Sequence, residues 1–251
     1  MQLTIVGWSG SFPGPESPAS CYLIDTGDFR LVLDLGNGAL GALQRYTGLA
    51  EVDAICLSHL HADHCLDMCG YSVFQNYHPA GGQPRIPVYG PPGTAERLSR
   101  ALGSDHLGMA EAFGFTELAA GQVEIGPLRI TTAHMNHPVE TFGFRIEHGG
   151  QVLAYSADTG PCDELVDLAR GADVLLSEAS FTDGPGLPDD LHLTARQAGE
   201  HAARAGAGEL VLTHLVPWND RSASLQQASE AFTGPLRLAT SGLRLLGDPR
   251  P

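Results

Sequence analysis

Seven consecutive residues, Ser58 to His64, concentrate four potential metal ligands. They read Ser-His-Leu-His-Ala-Asp-His, an H-x-H-x-D-H pattern, in a chain that has 11 histidines among 251 residues. Histidine is the commonest neutral metal ligand, and aspartate supplies a hard oxygen. The apolar run at 52–57 predicts a buried strand before this segment, and the apolar pattern at 65–77 predicts a helix after it. We therefore expect a metal-binding loop between a strand and a helix.

The size and charge of the chain restrict the number of domains and the class of substrate. Its length suits one large α/β domain or two small ones, and because no linker or repeat is visible we expect a single domain, 1–251. The net charge of −15 disfavours extended nucleic-acid binding, although bound dications would still attract a small anionic substrate. Without a leader pattern, a membrane-length apolar run or a disulfide-like cysteine spacing, we expect a cytoplasmic protein that does not enter membranes.

Strand-like and helix-like patterns alternate along the chain, which favours an α/β fold. The stretch 105–115 is ambiguous, and His106 within it is interpreted as a surface residue. Helices are predicted at 39–46, 65–77, 93–102, 163–170, 195–206 and 222–232. Strands are predicted at 2–6, 21–26, 29–33, 53–58, 86–89, 122–125, 128–133, 141–147, 151–155, 174–177, 209–213, 236–239 and 243–246.

Three later strands also end in residues that can bind metal. His134 and His137 both follow the strand at 128–133, and either could be a ligand. Asp158 follows the strand at 151–155 just before a glycine turn, and His214 follows the strand at 209–213. Asp34 ends the strand at 29–33, where it either braces the metal loop or caps the next helix.

Four motifs together resemble the metallo-β-lactamase superfamily of metallohydrolases: the H-x-H-x-D-H segment, H-P-x-x-T-F-G-x-R-I from His137, S-A-D-T-G around Asp158, and T-H-L-V-P-W around His214. The resemblance implies a four-layer αββα sandwich, an α/β fold in which two mixed β-sheets are flanked by helices. It also implies two metal ions about 3.5–4 Å apart, Zn²⁺ in the first place, with Mn²⁺ or iron as alternatives. By resemblance, one metal takes His59, His61 and His137, the other takes Asp63, His64 and His214, and Asp158 bridges them.

A second pair of motifs points to one branch of that superfamily. The sequence E-A-S-F from Glu178 and H-L-T-A-x-x-A-G from His192 resemble the ribonuclease Z branch. The resemblance implies that His192 protonates the leaving group and that Glu178 orients it; the alternative is that His192 is a surface residue at a helix entry. A hydroxide held by the metals is expected to attack phosphorus, and Asp63 could orient or deprotonate the attacking water.

The whole chain is also similar to actinobacterial proteins described as atypical class II cyclic-AMP phosphodiesterases. The closer likeness is carried by G-x-S-G-S, G-A-L-Q-R, L-S-H-L-H-A-D-H-C-L-D, Y-H-P, Y-S-A-D-T-G-x-C-D and T-H-L-x-P-W. Two features depart from tRNA-processing ribonuclease Z. Asp158 comes 21 positions after His137, which leaves no room for a tRNA-gripping arm, and Pro217-Trp218-Asn219 stands where an arginine-containing segment is expected.

We therefore expect a two-metal phosphodiesterase that converts a small cyclic nucleotide, 3′,5′-cyclic AMP, to 5′-AMP. The alternatives are a ribonuclease Z-like enzyme acting on RNA 3′ ends, a lactonase, thioesterase or other esterase of the same fold, and a non-catalytic sensor. The expected partner is a small phosphodiester substrate, and a homodimer is suggested by resemblance alone. Candidates to line a base pocket, each of which could equally be core or surface, are Phe12, Tyr77, His78 and Trp218.

Overall fold

The chain forms two seven-stranded mixed sheets flanked by helices, as a computed structural model describes it, and this confirms the expected αββα architecture. The structure describes residues 1–79, 81, 83–103, 107–188 and 190–247; His106 lies outside them. The helices are α1 (Ala39–Leu43), α2 (Ala62–Cys65), α3 (Met68–Tyr77), α4 (Thr94–Leu102), α5 (Leu107–Ala112), α6 (Asp163–Leu168), α7 (Ala195–Ala205) and α8 (Arg221–Ala231). The strands are β1 (Gln2–Gly7), β2 (Cys21–Asp25), β3 (Arg30–Leu33), β4 (Ala54–Cys56), β5 (Ile86–Gly90), β6 (Phe113–Glu117), β7 (Gly121–Ile125), β8 (Leu128–His134), β9 (Phe142–His148), β10 (Gln151–Tyr155), β11 (Val174–Glu178), β12 (Glu209–Thr213), β13 (Leu236–Leu238) and β14 (Arg244–Leu246).

Each sheet is half antiparallel and half parallel. The first sheet has the order β14-β1-β2-β3-β4-β5-β6, antiparallel up to β3 and parallel from β3 to β6. The second sheet has the order β13-β12-β11-β10-β9-β8-β7, parallel from β13 to β10 and antiparallel from β10 to β7. The parallel halves matter for the site, because in such sheets ligands bind at the carboxyl ends of the strands.

Two apolar cores hold these layers together, and the alternation of side chains along each strand divides residues between them. In β2, Tyr22 and Ile24 face the core shared with the second sheet, whereas Cys21 and Leu23 face the core under the helices of the first sheet. The larger core also takes the fully buried Phe144 of β9. The burial of both sheet faces explains why the strands read as continuous apolar runs.

The structure corrects one predicted helix. The predicted helix at 65–77 is two helices, and the first of them, α2, begins at Ala62 inside the metal-binding motif. The break at Asp67 has a physical cause, because this residue is tied to the loop after β3. Its backbone N–H donates to Leu35 O over 3.1 Å, and its carboxylate accepts from the backbone N–H of Leu40 over 2.8 Å. Asp63 and His64 therefore project from a short helix.

The ambiguous stretch at 105–115 contains the end of a helix and an edge strand. Within the described residues, α5 ends at Ala112 and β6 follows directly, paired in parallel with β5.

All five cysteines are free thiols. In the part of the chain that the structure describes, no helix has the length and apolar character needed to cross a membrane.

Candidate metal centre

The candidate ligands meet where strands of both sheets end. Asp34 follows β3, the H-x-H-x-D-H segment follows β4, Asp158 follows β10 and His214 follows β12. Three non-glycine residues at these strand ends have a left-handed backbone: Asp34 with φ 57°, Ala157 with φ 52° and His214 with φ 52°. Such a backbone is disfavoured for residues other than glycine, and it concentrates at functional sites, where surrounding contacts enforce it.

The first cluster contains His59, His61, His137 and Asp158, whose potential ligand atoms all lie within 4.8 Å of one another. His61 Nδ1 lies 3.0 Å from His59 Nε2 and 3.2 Å from His137 Nε2. Asp158 Oδ2 lies 3.6 Å from His59 Nε2. His134 is not part of this cluster, since its ring packs at 4.8 Å against the ring of Phe142. Of these two histidines, the structure thus brings His137 to the site.

The second cluster contains Asp63, His64, Asp158 and His214, all buried. His214 Nε2 lies 3.1 Å from both His64 Nε2 and Asp63 Oδ2. Asp158 Oδ1 lies 3.2 Å from His64 Nε2 and 3.4 Å from His214 Nε2. Because its two oxygens face different clusters, Asp158 is placed to bridge two metal ions, as the resemblance implies.

The outer ring nitrogens of four histidines are held by hydrogen bonds, which fix the tautomer that leaves the inner nitrogen free for a metal. Two of these bonds pass through a serine hydroxyl that itself donates to a buried carboxylate. Ser58 links His59 to Asp34, and Ser180 links His214 to Glu178. The four contacts are His59 Nδ1–Ser58 Oγ at 3.0 Å, His64 Nδ1–Asp34 Oδ2 at 2.8 Å, His137 Nδ1–Leu191 O at 2.9 Å and His214 Nδ1–Ser180 Oγ at 2.6 Å.

Asp34 is not the cap of α1, because Gly38 occupies that position. It supports the second cluster through hydrogen bonds from outside the ligand set. The Asp34 side chain is fully buried and accepts four hydrogen bonds. They come from Ser58 N at 2.7 Å and from Ser58 Oγ, His64 Nδ1 and Tyr155 Oη at 2.8 Å each. One carboxylate thereby fixes the start of the metal-binding segment and the ring of His64.

Replacing Asp34 by asparagine is expected to weaken metal binding without unfolding the protein. Asparagine tolerates the left-handed backbone, but its amide cannot accept from all four donors. Loss of such outer support typically lowers metal affinity about 10–100-fold. The dissociation constant for Zn²⁺, measured by competition with a chromogenic chelator, checks this. Asp28→Asn, in the exposed turn between β2 and β3, is the matched control and should bind Zn²⁺ as the wild type does; equal affinities for the two variants would contradict the assigned role.

The charges at the site suit a metal ligand set. Burial lowers the pKa of His59, His61 and His137, so these imidazoles are neutral and able to bind a cation. Burial raises the pKa of Asp158, but the neighbouring histidines, first His214 and then His64, outweigh it and hold that pKa well below its ordinary value. Burial likewise lowers the pKa of His64, but its carboxylate neighbours raise it well above its ordinary value, so metal binding there must displace a proton.

The residues present fit a pair of metal ions. Asp158 Oδ1 is buried and makes no hydrogen bond of suitable geometry with the described residues, although His64 Nε2 and His214 Nε2 lie 3.2 Å and 3.4 Å away. An unsatisfied buried carboxylate oxygen is destabilising. A cation between the two clusters would satisfy it. Imidazole nitrogens and carboxylate oxygens in sets of three, with a shared carboxylate, are the ligands that Zn²⁺ uses in catalytic sites.

Glu178 and His192 form a hydrogen-bonded pair beside the second cluster. His192 Nδ1 lies 2.9 Å from Glu178 Oε1, and Glu178 is fully buried at the end of β11. The His192 ring is 5.5 Å from that of His137 and 5.4 Å from that of His214. Burial lowers the pKa of His192, but the charge of Glu178 and the hydrogen bond to it prevail and raise the pKa to about 9. His192 therefore favours its protonated form, and its Nε2 takes no part in the hydrogen bond to Glu178.

Two contributors to the site were missed from the sequence. Ser180 connects Glu178 to His214, and the only sequence signal was its position two residues after Glu178. Gly10 packs directly against His214, and its backbone N–H donates to Leu215 O over 3.1 Å. A Cβ atom at Gly10 would lie 2.4 Å from His214 O and 2.7 Å from His214 Nδ1, closer than atoms can approach. The Gly-Ser loop before Phe12 thus helps to position a candidate metal ligand.

Replacing Gly10 by alanine is expected to displace His214 and to weaken metal binding in the second cluster by at least about 10-fold. The added methyl group meets backbone atoms that cannot rotate away. Metal content after dialysis, determined by elemental analysis, measures the effect. Gly41→Ala is the control, because a Cβ there meets nothing within 4 Å in α1. That variant should keep its metals and gain about 0.5–1 kcal/mol of stability; full metal content in Gly10→Ala would show that the loop does not position His214.

Comparisons with known proteins identify the family of the chain. The family model described as "Beta-lactamase superfamily domain" matches residues 23–215. An uncharacterized protein of Mycobacterium leprae is 45% identical over 248 residues, which are 96% of this chain and 87% of the relative. A Mycobacterium bovis protein named ribonuclease Z is 31% identical and covers 86% of each chain.

One solved structure is similar over almost the whole chain. The metallo-β-lactamase fold protein YhfI of Bacillus subtilis has a TM-score of 0.87 at 29% identity, covering 98% of both chains. In the sequence comparison, that protein carries the name probable metallo-hydrolase and is 30% identical over 244 residues, covering 96% of this chain and 98% of the relative. The shared fold, the matched family and the two clusters joined by Asp158 place the chain in the beta-lactamase superfamily.

Proposed function

We propose that the protein is a two-metal phosphodiesterase that hydrolyses a small cyclic nucleotide, 3′,5′-cyclic AMP, to 5′-AMP. That it is a metal-dependent hydrolase follows from its family and from relatives named probable metallo-hydrolase and ribonuclease Z. The observation that carries the finer proposal is the Glu178–His192 pair, placed beside two ligand clusters that share Asp158. A protonated imidazole at this position suits an ester whose leaving group needs a proton.

The seven clustered residues would hold two Zn²⁺ ions, with Mn²⁺ as the alternative. When bound, such a pair polarises a phosphoryl oxygen and lowers the pKa of the attacking water. Asp63 is well placed to orient that water, because its carboxylate lies at the more exposed side of the second cluster. Burial raises the pKa of Asp63, but His64 and then His214 hold it well below its ordinary value, so the carboxylate is ionised and can accept a hydrogen bond.

His192 would complete the reaction as the general acid. Hydroxide, formed from water by loss of one proton to solvent, would attack phosphorus. The bond from phosphorus to the ribose O3′ would break, and the proton of His192 Nε2 would pass to O3′. Glu178 keeps the imidazole protonated and fixes its orientation through Nδ1. The Glu178 carboxylate is itself fixed, because its oxygens accept from Thr159 N at 2.6 Å and from Ser180 Oγ at 2.9 Å.

The region between His137 and Asp158 supports a small substrate. The structure fills it with the β9–β10 hairpin, which turns at Gly149 and Gly150. No segment between these two candidate ligands extends as an arm, and all of its residues are described. The net charge of −15 also disfavours a long polyanionic substrate.

A second candidate function is the processing of RNA 3′ ends, which the 31% identical ribonuclease Z of Mycobacterium bovis favours. The same metals and acid pair would serve that reaction, so the two candidates differ in substrate binding and not in chemistry. A direct comparison of substrates is needed to separate them.

The test is a panel of substrates offered to purified protein loaded with Zn²⁺ or Mn²⁺. The panel contains cyclic AMP, cyclic GMP, 2′,3′-cyclic nucleotides, bis(p-nitrophenyl) phosphate, precursor tRNA and a lactone. We expect cyclic AMP to be hydrolysed with the highest kcat/KM. Cleavage of precursor tRNA alone would support the second candidate, and cleavage of the lactone without any phosphodiester would contradict both.

A further inference from the structure

Two exposed aromatic side chains contact each other beside the metal centre. The rings of Phe12 and Trp218 have centroids 5.1 Å apart and planes tilted by 43°. Phe12 is 39% exposed and Trp218 is 73% exposed, although large aromatic residues are normally buried. Among the described residues, the other exposed aromatic side chain of this size is Tyr77, which ends α3. Packing of the apolar core therefore does not account for the position of Phe12 and Trp218.

Both rings are carried by segments that are anchored to His214. Ser11, directly before Phe12, has a left-handed backbone with φ 63°, and its backbone nitrogen lies 3.4 Å from His214 Nε2. That nitrogen is the atom of His214 that faces Asp63 and Asp158. Trp218 follows His214 by four residues, and the loop between them is paired with the Trp8–Gly10 segment through two backbone hydrogen bonds. The aromatic pair therefore lies at the rim of the second cluster.

We propose that Phe12 and Trp218 form the platform on which the nucleobase of the substrate stacks while its phosphate lies at the metal centre. This inference rests on the proposed function, because it assumes a nucleotide substrate. Every base has a flat π-face, and stacking on aromatic side chains binds bases without a cationic surface. Such recognition suits a protein with a net charge of −15. It also assigns a role to two residues that chemistry at phosphorus does not need.

Binding measurements with the reaction product distinguish the contribution of the base from that of the phosphate. We would titrate metal-loaded protein with 5′-AMP and with ribose 5-phosphate, which has the same phosphoribose but no base. The chain has two tryptophans, Trp8 and Trp218, and Trp8 is 6% exposed beneath the Arg221 guanidinium. Stacking on Trp218 should quench the exposed tryptophan's fluorescence with 5′-AMP and leave it unchanged with ribose 5-phosphate.

Variants of the two rings measure the contribution of stacking by calorimetry. Trp218→Leu and Phe12→Leu should each weaken 5′-AMP binding by roughly 5- to 150-fold, the factor expected for one base–aromatic stack. Both should leave ribose 5-phosphate binding unchanged, and Trp218→Phe should restore most of the affinity. Tyr77→Leu is the matched control, because it removes an exposed aromatic ring from the end of α3. It should bind both compounds as the wild type does.

The outcomes distinguish this inference from the proposed function. Base-dependent binding that is lost in Trp218→Leu supports the platform even when no cyclic nucleotide is hydrolysed, in which case only the proposed reaction fails. Cyclic AMP hydrolysis with an unchanged KM in both ring variants overturns the platform alone. Equal affinity for 5′-AMP and ribose 5-phosphate also overturns it. A third result would also overturn the platform: Trp218→Leu changes the oligomeric state, measured by sedimentation, but does not change the affinity for 5′-AMP. In that case the aromatic pair would be part of a protein interface.

Discussion

Replacing Asp158 by alanine is expected to abolish metal binding and turnover together. Asp158 is the one residue that belongs to both clusters, and its buried Oδ1 has no hydrogen-bond partner among the described residues. Without the bridge, the remaining histidines and Asp63 would have to hold two cations that repel each other. We expect phosphodiesterase activity to fall by at least about 10³-fold, equivalent to about 4 kcal/mol of transition-state stabilisation.

Metal content by elemental analysis and activity, measured on the same sample, check this expectation. The control is Asp167→Ala in α6, where the carboxylate is 71% exposed and pairs with Arg170. That variant should keep both metals and full activity. Retention of two metals by Asp158→Ala, with its circular dichroism unchanged, would contradict the bridging role.

Replacing His192 by alanine is expected to leave the metals bound and to remove turnover of esters with poor leaving groups. The seven candidate ligands do not include His192, so metal content should stay at the wild-type value. Hydrolysis of cyclic AMP should fall by about 10²–10⁴-fold, the usual contribution of a general acid. Hydrolysis of bis(p-nitrophenyl) phosphate should fall much less, because p-nitrophenolate leaves without a proton.

The pH dependence of the rate offers an independent check on the same residue. Glu178 raises the pKa of His192 to about 9, so the acid carries its proton below that pH and loses it as the pH rises through it. Nearby metal charge lowers this pKa, so the wild-type rate should decline at or below about pH 9. In His192→Ala this alkaline decline should be absent from kcat for cyclic AMP.

His134→Ala is the matched control for the His192 variant. His134 ends β8, and its ring packs on Phe142 away from both clusters. It should therefore retain metal content, turnover and the alkaline decline. If His192→Ala kept the wild-type preference among leaving groups, a group other than His192 would have to be the general acid. If His134→Ala lost a metal, the assignment of His137 as the ligand would be wrong.

Several of the candidate ligands could be predicted from the sequence because they lie shortly after an apolar run. A buried strand that ends in histidine or aspartate can be recognised locally, as at His59, Asp158 and His214. The carboxyl ends of the parallel strands then bring these residues to one edge of the sandwich. The architecture itself followed from the resemblance, and the matched family confirms it.

The remaining features depend on contacts between distant segments, which no local pattern records. Ser180 contacts His214 across 34 positions in the sequence, and Gly10 contacts His214 from near the start of the chain. The sequence favoured His137 over His134 by resemblance alone, because both follow the predicted strand at 128–133. The choice is decided by a turn in which Met135 N donates to Thr141 O over 2.9 Å, so that β8 ends at His134 and His137 lies beyond it.

The roles of exposed side chains were also open. Phe12, Tyr77, His78 and Trp218 were equivalent as candidates for a base pocket, since each could equally be a core or a surface residue. The structure distinguishes them by position, because Phe12 and Trp218 contact each other near His214 whereas Tyr77 ends α3.

Phosphorus NMR of cyclic AMP incubated with the Zn²⁺-loaded protein tests the central claim most directly. The spectrum identifies the bond that breaks as well as the fact of hydrolysis. A two-metal phosphodiesterase with His192 protonating O3′ predicts that the cyclic AMP resonance is replaced by that of 5′-AMP. An unchanged cyclic AMP resonance from protein that holds two metals and hydrolyses another class of ester would contradict it.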